Sequence, residues 1–433
     1  MARSQPSPSY RELLRIPGLR PVLAGMALSR IGGSMLGVAL VLFALERFGS
    51  PALAGVVTFM SVAPGLLLSP IVGALLDRHG RTRLIILDQL VGAGALLLVA
   101  ALALTDTLNP LVLVAVTTVA GLTAPLSAVG LRTLFPILVP RRLWERANAV
   151  DSNGYVVATL VGPPAAGLLV QLIGGPAALL TIAGLFGAAA VVFTRVPDPQ
   201  TEHASTGRLL VDAWDGLVYT LRHPTLRALG ISLAVLNLGW GIVTIVLPVL
   251  ILQEFGLGEA VVGGVFAVSG LAGGIGALVA GRWRTQGRER AMLVWPMVGM
   301  TVSALVLLAS PTLPVLVAVM AVQGFLNGPL AVALFTLRQR RTDQAWMGRA
   351  FAVSMALNFS GYPVGAAIGG VLVATGLVLP IAAAAALTAL GALLAWALLP
   401  RDGSEPQDEP EPAGAAPEGA ALEVATAEGP SLT

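Results

Sequence analysis

Arg30 stands ten residues into a continuous apolar run, about 15 Å along it at 1.5 Å per residue if the run is helical. A guanidinium is always charged, so at that depth it must face a water-filled cavity or an ionic partner. Two chemistries follow: Arg30 attracts an anionic ligand group, or it pairs with a carboxylate such as Asp88 or Asp151 in a structural or proton-sensitive contact. A second concentration of charge lies at residues 73 to 84, Gly-Ala-Leu-Leu-Asp-Arg-His-Gly-Arg-Thr-Arg-Leu. Asp77, Arg78, Arg81 and Arg83 crowd there between two long apolar runs, although only 11% of the chain is charged. A polar turn in that setting must join two membrane-spanning helices on one side of a bilayer.

The composition excludes several classes of chemistry. There is no cysteine, so disulfides, zinc-thiolate sites and thiol catalysis are out. All 26 basic residues are arginine, and a P-loop needs its lysine on the phosphates. His79, His203 and His223 fall in polar connecting segments and read as solvated loop residues, not as a metal site. No nucleophile–base pair or cofactor loop emerges, so neither an enzyme nor a cofactor is expected. The high pI reflects membrane orientation and does not argue for a nucleic-acid partner.

Hydropathy supplies the elements that must hold these residues. With 56% hydrophobic residues over 433 positions and a mean hydropathy of +0.84, the chain falls outside the soluble class. Twelve apolar stretches suffice to cross ~30 Å of hydrocarbon as helices: 20–45, 51–76, 84–104, 110–138, 147–173, 176–196, 227–252, 259–281, 290–309, 312–337, 347–375 and 378–399. None alternates with the period of a barrel strand. Arginines orient them. The even-numbered junctions hold Arg78/81/83, Arg141/142/146, Arg195/208/222/227, Arg282/284/288/290 and Arg338/340/341/349, whereas the other side holds essentially Arg47 alone. Both termini are therefore expected in the cytoplasm, with the first helix retained and not cleaved as a signal peptide.

The halves repeat at an offset of 203 residues: Gly73-Ala74-Leu75 returns as Gly276-Ala277-Leu278, Arg146-Ala147-Asn148-Ala149-Val150 as Arg349-Ala350-Phe351-Ala352-Val353, and Gly167-Leu168-Leu169-Val170 as Gly370-Val371-Leu372-Val373. The expected organisation is a cytoplasmic segment (1–19), a six-helix bundle (20–196), a linker (197–226), a second six-helix bundle (227–400) and a disordered tail (401–433) with eight acids against Arg401. In the linker, Leu210, Trp214, Leu217, Val218 and Leu221 recur at helical spacing opposite Asp212, Asp215 and Tyr219, which suits an amphipathic strap at the membrane surface.

The charged hairpin resembles the signature loop between the second and third helices of the major facilitator superfamily of transporters. It keeps Gly73, Leu75, Asp77, Arg78, Gly80 and Arg81 and departs at Thr82, where the family usually has a base. The resemblance implies an all-α membrane fold of twelve transmembrane helices, two pseudo-symmetric six-helix bundles around a midplane site. It also implies an inner latch, with Asp77 against the start of the eleventh helix near Met347 and Arg81 reaching Asp88, Glu145 or Asp151. Ala280 occupies the position matching Asp77 in the second half, so that latch is asymmetric. Gly154, Ala158, Gly162-Pro163 and Ala166-Gly167 resemble the glycine-proline motif of the family's antiporters, with alanine for the penultimate glycine. In the family that motif goes with export; close helix packing is the competing reading.

The family lines its cavity with helices 1, 4, 7 and 10, which makes Arg132 the companion of Arg30. It adds Ser34, Asn237, Trp240, Thr244, Gln323, Asn327 and Thr336, with Asn358 and Tyr362 on helix 11 adjacent. Trp240 is suited to stack on an aromatic or cationic ligand. Thr117 stands where drug-proton antiporters usually carry an arginine, and no acid occupies the middle of helix 1, 4, 7 or 10.

The phrases Ser29-Arg30-Ile31-Gly32 and Arg146-Ala147-Asn148-Ala149 look closest to the macrolide-efflux-like branch. The implied function is secondary export of a small amphipathic drug or metabolite by alternating access, coupled to proton antiport, in a monomer in a bacterial cytoplasmic membrane. The same fold serves an importer or exporter of an anionic metabolite, siderophore or lipid that meets Arg30 and Arg132. A membrane sensor or scaffold without flux is the reading from another class.

Overall fold

The computed structural model describes residues 10–198, 209–283, 287–342 and 347–400. The acidic tail and linker residues 199–208 lie outside the described residues. Twelve helices among them are long and apolar enough to cross a membrane. They are Leu19–Phe48, Pro51–His79, Arg81–Leu104, Pro110–Leu138, Trp144–Ile173, Gly175–Phe193, Pro224–Val249, Glu259–Ala280, Glu289–Ala309, Leu313–Arg340, Met347–Leu372 and Val378–Leu398, here spans 1 to 12. Twelve crossings put both ends of the bundle on one face, the terminal face; the other is the far face.

Local chemistry sets the helix ends. Ser50 caps span 2, its hydroxyl accepting from the Leu53 amide at 3.2 Å, and Pro51 takes the first helical position. Glu46, near the end of span 1, accepts from the Gly175 amide at 3.0 Å and so places a carboxylate at the start of span 6. At the hairpin between spans 2 and 3, Gly80 adopts φ 92° and ψ 132°, a backbone that only glycine takes without strain. A Cβ there would also run into the Asp198 carboxylate, whose Oδ1 accepts from the Thr82 amide at 3.2 Å. Asp198 thus caps span 3 from beyond span 6, a contact the sequence reading missed. Gly80→Ala is expected to destabilise this hairpin by about 1–3 kcal/mol, seen as a lower thermal midpoint of the purified protein in detergent. An unchanged midpoint would refute the strain argument.

The repeat is visible in the helices, since spans 5 and 11 start at Trp144 and Met347, 203 residues apart. The halves meet through two matching pairs, span 5 on span 8 and span 2 on span 11. Gly167 and Gly370, equivalent in the repeat, sit at these two contacts. A Cβ on Gly167 would strike the backbone of Glu259 and Gly263, and one on Gly370 the backbone of Pro51, Ala52 and Gly55. Small residues let the helix backbones touch.

Burial follows the same division. Near the far face one apolar cluster joins both halves, with Leu40 and Phe43 packed among residues that include Leu247, Ile251 and Val262. Toward the terminal face each half keeps its own cluster, Leu19, Ile85, Leu134 and Phe193 in one and Leu229, Leu293, Leu334 and Ala395 in the other. The bundle is closed at the far face by glycine contacts and shared core.

The linker helix, Leu209–Arg222, packs against spans 2, 7 and 11 and so touches both halves. Gly216 and Thr220 face the protein, while Trp214 is 63% exposed and Leu221 also points outward. Outward apolar side chains suit the lipid interface.

Candidate functional site

Within the first half the spans enclose a cavity of ≈ 470 Å³, in the range of small-molecule sites. Spans 1 to 6 all contribute, and Tyr362 of span 11 closes it from the second half. Its wall is unusually polar for a membrane interior: Arg30, Ser34, Thr58, Ser61, Asp88, Gln89, Ser127 and Tyr155.

Arg30 is held by a socket on span 5. Its Nη2 meets Asp151 Oδ1 at 2.5 Å and its Nη1 donates to the Asp151 carbonyl at 2.8 Å. The guanidinium carbon lies 3.8 Å from the centre of the Tyr155 ring, a cation–π contact. Gly154 completes the socket, because a Cβ there would fall 2.8 Å from Arg30 Nη1. Carboxylate, carbonyl, glycine and ring follow in sequence on one helical turn, and this is how a charge deep in span 1 is tolerated. Arg132 is exposed and stands on the same ring, 5.5 Å from its centre.

Asp88 lies seven residues past the start of span 3 and is 8% exposed. Neither Arg30 nor Arg132 pairs with it. Its surroundings are Ser127, Thr123 and Gln89. The Gln89 amide nitrogen donates to Ser127 Oγ at 2.9 Å and stands 3.4 Å from Asp88 Oδ2. Gln89 Oε1 is buried without a hydrogen-bond partner. The sequence offers no mid-membrane acid on spans 1, 4, 7 or 10; the cavity acid is on span 3. A signal was present, an Asp-Gln pair inside a span of mean hydropathy 2.2.

The other expected residues divide. Ser34 lines the cavity, and Gly162 lies against it, since a Cβ on Gly162 would meet the Ser34 side chain at 2.6 Å. Pro163 presents its carbonyl to Gly263 of span 8, so Pro163 and Gly167 of the helix 5 motif face the other half while Gly154 and Gly162 face span 1. Asn237 is absorbed in a helix contact, donating to Asn358 Oδ1 at 2.9 Å. Trp240 and Gln323 border a separate apolar void of only ≈ 50 Å³ in the second half, with Gln323 donating to the Met300 carbonyl at 3.1 Å. Asn327 is exposed and lines neither space. In the signature loop Arg78 is exposed and Arg81 half-buried, and Gly73 and Asp77 lie on span 2. The side chains of Asp77 and of residues 347–352 lie outside the described residues, and with them the expected latch. Tyr155, Gln89 and Ser127 escaped the sequence reading, as single polar residues in apolar runs carry no motif. Among the described residues no group of His, Cys, Asp or Glu could hold a metal ion.

Comparison with known proteins places this arrangement. The profile of the Major Facilitator Superfamily matches residues 22–236 and 229–427. An uncharacterized MFS-type transporter, y4rN of Sinorhizobium fredii, is 37% identical over 375 residues, covering 84% of this chain and 91% of that one. The multidrug efflux pump Tap of Mycolicibacterium fortuitum is 26% identical over 368 residues, covering 81% of this chain and 89% of the pump. The nucleoside transporter NupG has the same fold, with a TM-score of 0.70 at 14% identity over 87% of this chain and 98% of that one. Twelve spans, the matched halves and these relatives agree that the chain belongs to the Major Facilitator Superfamily of membrane transporters and resembles its drug-efflux members.

Proposed function

We propose that the chain is a secondary active exporter that carries a small amphipathic molecule out of a bacterial cell in exchange for protons. The observation that carries this reading is the cavity of ≈ 470 Å³, which sets an acid and an anchored arginine beside apolar helix faces. Such a site accepts a molecule with a polar head and an apolar body. Likeness to the pump Tap supports export. The arginine-rich junctions support a cytoplasmic terminal face and a location in the cytoplasmic membrane. Transport would proceed by rocking of residues 20–196 against 227–400 in a monomer. Opening the far face requires parting the glycine contacts of spans 5/8 and 2/11. The signature loop, with Asp77 and Arg81, would latch the terminal face when the far face is open. Arg132 is the one observation favouring an anionic cargo, as its guanidinium is exposed beside Tyr155.

Uptake of cationic, neutral and anionic amphipaths into inside-out vesicles tests the reading, with and without a protonophore. Accumulation of one charge class that collapses with the protonophore, and that Asp77→Asn abolishes, is the expected result. Uptake indifferent to the protonophore would remove proton antiport. Uptake confined to anions would favour the rival cargo.

A further inference from the structure

We propose that Asp88, Gln89 and Ser127 form a subsite for the protonated amine of a cationic substrate. This rests on the export reading and specifies its cargo.

The argument is a count of donors and acceptors. Arg30, the arginine of the cavity wall, is already engaged with span 5. Arg30 spends both terminal nitrogens on Asp151, and Arg132 lies on Tyr155. Asp151 is thereby neutralised, which leaves Asp88 as the acid of the cavity wall without a cationic partner among the described residues. The Gln89 orientation follows from its neighbour, since a carboxylate repels an amide oxygen and draws the amide nitrogen. That turns Gln89 Oε1 away from Asp88, and it remains an unpartnered acceptor, 3% exposed, in the same wall. A corner of the cavity that offers a carboxylate, with Ser127, Thr123 and Gln89 as the donors around it and a buried unpartnered amide oxygen on Gln89, is matched by a ligand that brings donors and positive charge. An ammonium group with its N–H bonds does both. An anion here would be repelled by Asp88, and the exposed Arg132 guanidinium lies beside Tyr155 and not in the wall of the cavity.

An empty subsite leaves a carboxylate facing a membrane cavity, where it is costly as a lone charge. A proton is the smallest group that removes this cost, so proton and amine compete for Asp88. The neighbouring elements leave little else to titrate. Span 6, packed along span 3, has no titratable residue, and span 4 contributes only Arg132. Span 2 carries Asp77, Arg78 and His79 at its end, and span 3 itself carries Arg81 and Arg83 at its start. Across the cavity stand Arg30, bound to Asp151, and the phenols Tyr155 and Tyr362.

The test uses one fluorophore in three charge forms: dansylcadaverine, its neutral N-acetyl derivative and the anionic dansyl-aminohexanoate. Each is titrated against the full chain in lipid nanodiscs, with binding read from dansyl emission. The wild type is expected to prefer the cation over the neutral dye by about 10- to 100-fold, the range for a charge-assisted hydrogen bond. Asp88→Asn should bring that ratio to about one, and Asp88→Glu should keep most of it. Lowering the pH from about 8 to about 5 should weaken dansylcadaverine binding in the wild type and Asp88→Glu but not in Asp88→Asn, since the amine of the dye stays charged throughout. Cation preference that survives Asp88→Asn, or equal binding of cation and neutral dye by the wild type, would overturn the subsite while leaving the exporter reading in place. Tighter binding of the anion would overturn it too. If none of the three dyes bound, the amphipathic cargo itself would fall, and this subsite with it.

Discussion

Gly167→Val is expected to abolish transport while leaving the protein folded in the membrane. The physical cause lies in which atoms surround Gly167. A Cβ there meets the backbone of Glu259 and Gly263 on span 8, and backbone cannot swing aside as a side chain can. Overpacking of this kind costs about 1–3 kcal/mol. The contact exists only while the far face is closed, so the cost falls on that state alone. A penalty of about 2–3 kcal/mol moves the equilibrium roughly 30- to 150-fold toward an open far face. A carrier held there cannot reload from the terminal face. The absence of native cysteine makes the measurement direct. Gly37 lines the cavity and a Cβ there meets nothing within 4 Å, so Gly37→Cys places one thiol in open space. Its labelling by an impermeant maleimide from the far face should be slow in the native background and at least about tenfold faster with Gly167→Val. Gly370→Val should act alike, because the repeat sets it against span 2 in the same way. Gly264→Val is the control, as its Cβ would meet open space one residue beyond Gly263. Identical labelling rates for Gly167→Val and Gly264→Val would refute the far-face contact as a gate.

These glycines also show what was legible in the chain. Hydropathy fixes the spans because lipid leaves a helix no alternative, and the twelve helices begin within a few residues of the apolar stretches. The offset of 203 residues was readable because two contacts of the same kind hold the halves, so the same small residue is needed twice. The depth of Arg30 was readable from one charge in an apolar run. Its socket was not, since Asp151, Gly154 and Tyr155 come together with Arg30 only by the packing of span 5 on span 1. The cavity residues of the second half were expected from the family's use of helices 7 and 10, and packing diverts them from the cavity. Asn237 is spent on Asn358, and Trp240 with Gln323 borders a void too small for a substrate. Asp198 was hidden for another reason. It reaches the start of span 3 from just past the neighbouring span 6, 116 residues away in sequence, and no local pattern foretells such a cap.

Arg30→Met is expected to be the most destabilising single change in the first half, and its rescue separates architecture from recognition. The substitution leaves the Asp151 carboxylate, 21% exposed, without its counter-ion, whereas the Arg30 side chain it removes was only 8% exposed. Breaking such a pair costs about 3–5 kcal/mol, most of it from the charge left behind. Asp151→Leu alone should cost a similar amount, by leaving the guanidinium with one carbonyl and the Tyr155 ring. The double variant removes both charges together, and should regain more than half of the loss because an apolar pair does not pay for desolvation. Thermal midpoints of the four proteins in one detergent give the comparison. Losses that simply add would mean that the two residues act independently, and the ion pair would then not be what holds span 1 to span 5. A stable double variant that still binds dansylcadaverine would place Arg30 in the frame of the cavity. A stable double variant that binds none would make the arginine part of the substrate site, whose polar wall would then extend from Asp88 across to span 5.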